Sequence, residues 1–503
     1  MRTDSTTARS WCGLVVLLLP ALLTSMDISV LFVAAPAITE ALEPTSGQWL
    51  WAMDIYGFVM AGLLVTMGGL GDRFGRKRLL LAGAALFGVA SAIVAYAPNA
   101  ELLIVGRAML AIGGATLAPS TLALIRTMFT DERPRRIAVG AWTVAFSGGS
   151  VAGPIVGGML LDQFWWGAVF LINVPVMVLL LVAGPVLLPE SRNPTPAPFD
   201  LAGAALSLTT ALAAVYALKR VADGGADLLA AAAALLALAA GAGFTAHSRR
   251  AAHPLFDVGL LRKPPFATAI GANTVVALAT TGLGALAFTF LQLVHGLSAL
   301  ESALWALPTF AGAIAGSAAS AALAGRMPPP VLLATGLTVT AAGLGVVAFG
   351  EPATSLGVFL AGYTVLTTGV GMTATAANSL VLTTAPPQRA GAASALSETS
   401  TEFGGALGIA TFGTVASAVY ASGIADAAAG RVPAHASDTV AATLTAAGGL
   451  DEPHRTLLRE EALAAYTDGL TAAATAGLFA AALAAAGALT AGLRQREPSG
   501  VAR

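Results

Sequence analysis

Fourteen stretches of about 20 mostly apolar residues run through this chain, each long enough to carry a helix across a bilayer core. Their approximate cores are 12–36, 49–70, 79–97, 102–125, 137–161, 165–188, 199–218, 226–246, 266–294, 302–324, 330–349, 355–381, 392–420 and 469–493. The seventh, eighth and eleventh are alanine-rich, and alanine is only weakly lipophilic. A membrane β-barrel would need segments of about 10 alternating residues instead, and the sequence has none. The pattern predicts an all-α polytopic membrane protein. Only 11% of the residues are charged, against about 25% in soluble domains. A net charge of −1 provides no basic footprint for a phosphate backbone, so no nucleic-acid partner is expected. The single cysteine, Cys12, excludes a disulfide framework and a cysteine-ligated metal centre.

The first stretch holds Pro20 and Asp27, continues to Pro36 and lacks a small-residue cleavage pattern. It reads as a span, not a cleaved signal peptide. Lys and Arg mark the cytoplasmic side. With the N-terminus inside, 20 of the 26 fall in cytoplasmic segments, including the runs 73–78, 126–136 and 249–263. Lys219, Arg220, Arg431, Arg455 and Arg459 fall outside, and Arg107 lies within a span. Both termini are therefore expected in the cytoplasm. Only the loop between spans 7 and 8, with Lys219 and Arg220, cuts against the rule, which is counted over short loops.

A weak internal repeat suggests two halves. The glycine cluster SGGSVAGPIVGG at 147–158 has a counterpart in EFGGALGIATFG at 402–413. The expected organisation is a six-helix bundle over 1–190, two inserted spans with their connections over 191–265, and a second bundle over 266–493. A cytoplasmic tail follows at 494–503. The Pro-rich run at 189–198 reads as the linker, and 421–466 as a folded outer hairpin.

Four acids lie at membrane depth: Asp27, Asp54, Glu398 and Glu402. A charge at the bilayer centre costs about 2.5–3.5 kcal/mol on insertion scales, so such residues face a bundle interior or a watery cavity. At about 1.5 Å rise per residue, Asp27 sits just past the midplane of span 1 and Asp54 near the outer end of span 2. Glu398 and Glu402, four apart in span 13, share one helix face. Removal from water disfavours an ionised carboxyl group. A group so placed exchanges a proton for a cation, and that competition is an antiport mechanism. The bland alternative is a buried ion pair. Arg107, the only base inside a span, must find a carboxylate or carbonyls, and Asp27 lies at comparable height. Protonation of Asp27 would then release Arg107 and shift the bundle.

The inner loop GDRFGRKR (71–78) sets Gly71 and Gly75 for a tight turn. Its Asp72, with Arg73 and Arg76, forms a charge cluster suited to latching one conformer shut. In span 5, Gly149, Gly153, Gly157 and Gly158 allow close backbone approach, and Pro154 removes a helix hydrogen bond. That combination suits a gating helix. Tyr56, Trp142, Phe146 and Tyr363, with Trp51, Phe290, Trp305 and Phe403, are candidate cavity aromatics for cation–π contact. The five histidines show no metal-ligand spacing, and there is no Walker loop or HExxH. Neither a metal nor another cofactor is expected, and no enzyme chemistry.

These residues together resemble the major facilitator superfamily, and within it the 14-span drug:proton antiporters. GGLGDRFGRKRLL is similar to the family's loop 2–3 signature, LLIVGRAMLAIGGATLAP to its span 4 motif, and WTVAFSGGSVAGPIVGG to the span 5 motif of exporters. MDISVLFVAAPAI resembles the span 1 motif of this branch. LEPTSGQWLWAMDIYGFVMAGLL resembles the quaternary-ammonium and antiseptic efflux pumps. Span 10 carries no acid, where some members have one. The resemblance implies a 14-helix major facilitator fold in the bacterial inner membrane, driven by the proton motive force and expected as a monomer. It implies that Asp27, Asp54, Arg107, Glu398 and Glu402 serve proton coupling or cation recognition. The expected cargo is lipophilic cationic drugs; the alternative is a specific neutral antibiotic or metabolite. A passive channel would have no need of two repeated halves.

Overall fold

The computed structural model describes residues 8–192, 200–224, 227–251, 259–351, 355–384, 390–429, 431–432 and 437–494. Most of the Pro-rich linker, part of the 247–265 connection, positions within the outer segment and the tail beyond 494 lie outside them.

Helices follow the apolar stretches. They are α1 (Ala8–Leu42), α2 (Ser46–Phe74), α3 (Arg76–Ala95), α4 (Ala100–Met128), α5 (Glu132–Leu161), α6 (Ala168–Leu171) and α7 (Asn173–Leu187). The chain continues through α8 (Leu201–Gly224), α9 (Leu228–Arg250), α10 (Pro264–Thr289), α11 (Ala299–Trp305), α12 (Leu307–Leu323) and α13 (Pro329–Phe349). Last come α14 (Leu356–Thr384), α15 (Ala390–Ala428), α16 (Val440–Ala447) and α17 (His454–Arg494). Twelve of the fourteen expected spans meet the length and hydropathy of a membrane crossing among the described residues. The second, α2, qualifies only with its bent parts Ser46–Leu64 and Thr66–Phe74 taken together. The apolar part of α8, Leu201–Ala217, is shorter than the others.

Glycine decides the closest helix contacts. A Cβ on Gly149 would stand 2.3 Å from the Leu22 carbonyl oxygen, and one on Gly157 2.5 Å from Val30 Cγ2. Both glycines therefore let α5 lie against α1, where Ser25 Oγ and Ser150 Oγ also meet at 2.7 Å. The construction recurs between α10 and α15. A Cβ on Gly404 would stand 2.4 Å from the Thr274 carbonyl oxygen, and one on Gly408 2.2 Å from that of Leu278. The two glycine clusters of the sequence repeat thus do the same work. Gly149→Ala is expected to destabilise the protein by about 1–3 kcal/mol through overpacking, read as a lower unfolding temperature in detergent.

One large core is built mainly from α1–α7, around Leu17, Phe87, Leu110 and Phe170, and extends to Ala285, Phe288 and Ile409 of α10 and α15. Two others are built from the helices after α9, around Leu283, Phe359 and Phe412 and around Phe266, Leu333 and Ala377. The α8–α9 hairpin packs on α2 and α15. Alanines 230, 233, 237 and 240 of α9 are buried, a stripe at helical spacing that permits close approach to α8. Polar contacts tie both ends of this hairpin: His247 Nε2 and Asp200 Oδ1 share a hydrogen bond at 2.6 Å, and Arg220 Nη2 forms an ion pair with Asp227 Oδ2 at 2.8 Å. Hydrogen bonding to Arg220 holds the Asp227 carboxyl below the usual carboxylate range. The outer arginine that violates the positive-inside rule is thus neutralised locally.

Candidate functional site

The deepest charges belong to one cluster. Arg107 on α4 donates from Nη1 to Asp27 Oδ2 on α1, and both side chains are almost wholly buried. Its Nε also donates to the Ala52 carbonyl on α2 at 3.3 Å. Its guanidinium carbon lies 4.7 Å from the centre of the Tyr56 ring. One arginine therefore ties α1, α2 and α4 together, and Tyr56 offers its face to Arg107 inside the protein. Asp54 is buried in α2 and lines neither of the chambers described next.

A cavity of about 800 Å³ lies between the two sets of helices, the size of a drug-sized ligand site. Glu398 and Glu402, one turn apart on α15, both line it. Neither has a hydrogen-bond or ion-pair partner among the described residues. Facing them is an aromatic lining. Trp142 and Phe146 on α5 stack with centroids 5.3 Å apart and planes 11° apart, and Trp142 Nε1 donates to Thr121 Oγ1 at 3.0 Å. Tyr363 joins them from α14. Glu402 also borders a second chamber of about 260 Å³, shared with Tyr56 and Asn273.

The lining runs to Gly68, Arg76 and Arg126 at the cytoplasmic ends of α2, α3 and α4. At the opposite end the helix sets touch. A Cβ on Gly158 would stand 2.6 Å from Leu300 Cα, and one on Gly413 2.2 Å from Leu50 Cδ2. Gln292 Nε2 donates to the Val33 carbonyl at 2.9 Å, and Ser46 Oγ to that of Asp438. The protein is therefore inward-facing.

The inner loop is anchored within the first set of helices. Arg76 Nη2 reaches Asp72 Oδ1 at 2.6 Å, and Gly71 carbonyl accepts from Gly75 N at 2.9 Å. Gly75 adopts φ +107°, and a Cβ there would stand 2.6 Å from Glu190 Oε1. Glu190 accepts from Lys77 N at 3.1 Å, an acid at the positive end of α3. Arg73 is exposed, over the Phe74 ring at 5.7 Å.

Several expectations need correction. Trp51 pairs with Tyr216 on α8 at 6.5 Å, Phe403 with Phe58 at 6.2 Å and Phe290 with Phe359 at 4.8 Å. Trp305 is exposed. None of these four lines the central cavity: ring-on-ring packing in the helix layers takes up Trp51, Phe403 and Phe290, and Trp305 lies at the surface. The cavity instead uses Phe32, Phe288 and Phe310, which sequence reasoning passed over. It also passed over Glu190, which lies in the Pro-rich run at 189–198. Another omission is the network of Asn273, Asn378 and Ser397. There Asn273 Nδ2 donates to Ser397 Oγ at 2.9 Å and Ser397 Oγ to Asn378 Oδ1 at 3.2 Å. Two asparagines at membrane depth were the available signal, since polar groups there must find partners across helices.

Residues 17–409 match the family described as Major Facilitator Superfamily. The chain is 42% identical to the multidrug efflux pump LfrA of Mycolicibacterium smegmatis, over 96% of this chain and 97% of that protein. It is 33% identical to the methyl viologen resistance protein SmvA of Salmonella typhimurium, over 83% and 84%. It is 32% identical to a tetracenomycin C resistance and export protein of Streptomyces glaucescens, over 81% and 76%. Among solved structures, an inward-facing bacterial homologue of the human lysosomal transporter Spinster superposes with a TM-score of 0.68 at 19% identity, covering 98% and 99% of the two chains. The chain belongs to the Major Facilitator Superfamily. It is a multi-pass secondary transporter of the bacterial plasma membrane, not an enzyme.

Proposed function

We propose that this transporter exports lipophilic, cationic small molecules in exchange for protons by alternating access. One observation carries the reading: two carboxyl groups with no hydrogen-bond or ion-pair partner among the described residues, Glu398 and Glu402, face stacked aromatic rings in a cavity open toward the cytoplasm. A carboxylate with no fixed counter-ion attracts a cation strongly in a low-dielectric site, and the rings hold flat cations by their faces. Protonation removes the attraction, so cargo and proton compete for one site. Each charge moved through 100 mV yields about 2.3 kcal/mol, enough for a substantial gradient from one or two protons. The relatives described as multidrug efflux and methyl viologen resistance proteins support the drug-export part. The glycine seams between α1 and α5 and between α10 and α15 would serve as the sliding contacts. The two helix sets, 1–190 and 266–493, would rock about the cavity, with 191–265 riding alongside.

The test is expression in a drug-sensitive host against a panel of quaternary ammonium compounds, ethidium-like dyes and neutral antibiotics. Resistance to the cations, abolished by a protonophore, is expected. Resistance confined to one neutral antibiotic would favour a dedicated antibiotic exporter, the second reading, which the similarity to a tetracenomycin C exporter supports. Counterflow exchange in vesicles, which a pore does not show, separates both from a channel.

A further inference from the structure

A second pocket lies beside the cavity mouth. A groove of about 740 Å³ at the cytoplasmic ends of α4 and α5 is lined by Arg126, Arg135, Arg136, Val139, Gly140 and Thr143. All three arginines are exposed. Arg126 and Arg135 have no acid partner among the described residues. Arg136 has only Glu132, at 4.0 Å, with both side chains about three-quarters exposed (73% and 74%), a pair that contributes little.

The five α5 residues fall at i, i+1, i+4, i+5 and i+8, which is one helix face. That face descends about 12 Å from guanidiniums to uncharged surface, at about 1.5 Å per residue. Nothing lies within 4 Å of where a Cβ on Gly140 would be, so the lower groove is open at the depth of the inner leaflet's chains. Charge at the rim with apolar surface beneath is the profile of a phospholipid. Basic pockets on the cytoplasmic side of membrane helices bind anionic head groups.

We propose that this groove binds one anionic phospholipid of the inner leaflet, phosphate on Arg126, Arg135 and Arg136 and an acyl chain along Val139, Gly140 and Thr143. Arg126 lines both the groove and the central cavity. The head group therefore offsets positive charge at the doorway that a cation must pass on its way to Glu398 and Glu402. This last point rests on the proposed export of cations; the lipid site itself does not.

The experiment uses the full chain in detergent and native mass spectrometry with phosphatidylglycerol and phosphatidylcholine of identical chains. The wild type retains phosphatidylglycerol preferentially. The Arg135→Gln/Arg136→Gln variant binds it roughly 10- to 30-fold more weakly, at about 1 kcal/mol per arginine. The Arg135→Lys/Arg136→Lys variant, matched in charge, retains most of the binding. No preference between the lipids, equal retention by the Gln variant, or displacement by inorganic phosphate at the lipid's own concentration overturns the site. In vesicles of phosphatidylethanolamine with and without phosphatidylglycerol, the anionic lipid lowers the KM for a cationic dye several-fold in the wild type, and not in the Gln variant. A KM equally responsive in both overturns the doorway role. If no cation is transported in either lipid while lipid binding still falls in the variant, the export reading fails and the lipid site stands.

Discussion

Asp27→Asn is expected to abolish proton-driven efflux and also to destabilise the protein. The pair it breaks is almost wholly buried, and loss of one partner leaves Arg107 as an uncompensated charge. Breaking a buried pair in this way costs about 3–5 kcal/mol. Tyr56 and the Ala52 carbonyl remain beside the guanidinium, and neither carries a negative charge. The two effects separate in the double variant Asp27→Asn/Arg107→Gln, which removes both charges together. It should recover most of the lost stability in thermal unfolding, because replacing a whole buried pair is often near neutral. It should recover none of the dye efflux driven by a pH gradient in inverted vesicles. Uphill pumping at the wild-type rate by the double variant would show that this cluster is only a brace.

Glu402→Gln should do the opposite: leave the fold intact and remove the transport of cations. Glu402 holds no ion-pair partner among the described residues, so the isosteric amide strands nothing. What disappears is the attraction between the carboxylate and a bound cation. At about 4 Å and an effective dielectric constant of about 20 that attraction is about 4 kcal/mol, nearly a thousandfold in binding. A loss of at least about 100-fold in dye affinity is expected after allowance for cavity water, measured by fluorescence titration and by efflux. Glu398→Gln, at the more exposed position, should lose less. Full-strength binding of monovalent cations by Glu402→Gln would remove the site from the cavity's carboxylates.

The two substitutions differ because the structure gives the acids two kinds of surroundings. Asp27 faces a fixed arginine across a helix interface. Glu398 and Glu402 face open volume. Depth alone does not tell these apart. The lone intramembrane base and an acid at its height were enough to suggest the Asp27–Arg107 pair, since each needs the other. Spacing of four was enough to put Glu398 and Glu402 on one face. Glycine at 149, 153 and 157 announced a close helix contact without saying which helix approaches.

From the amino-acid order alone come the all-α membrane class, the side on which the loops lie, and the few charges that must be placed inward. Each follows from a local cost: backbone that must hydrogen-bond to itself in lipid, basic loops kept inside, and carboxyl groups kept from hydrocarbon. Tertiary structure decided which apolar residues meet lipid, which meet one another and which meet cargo. A soluble helix reveals its buried face because the other face is polar. Here both faces are apolar, so periodicity cannot point Phe32 and Phe310 into the cavity while leaving Phe403 and Phe290 in packed layers. Long-range packing also chose Glu190 to seat the turn at Gly75, closed the outer end, and opened the inner one between Arg76 and Arg126.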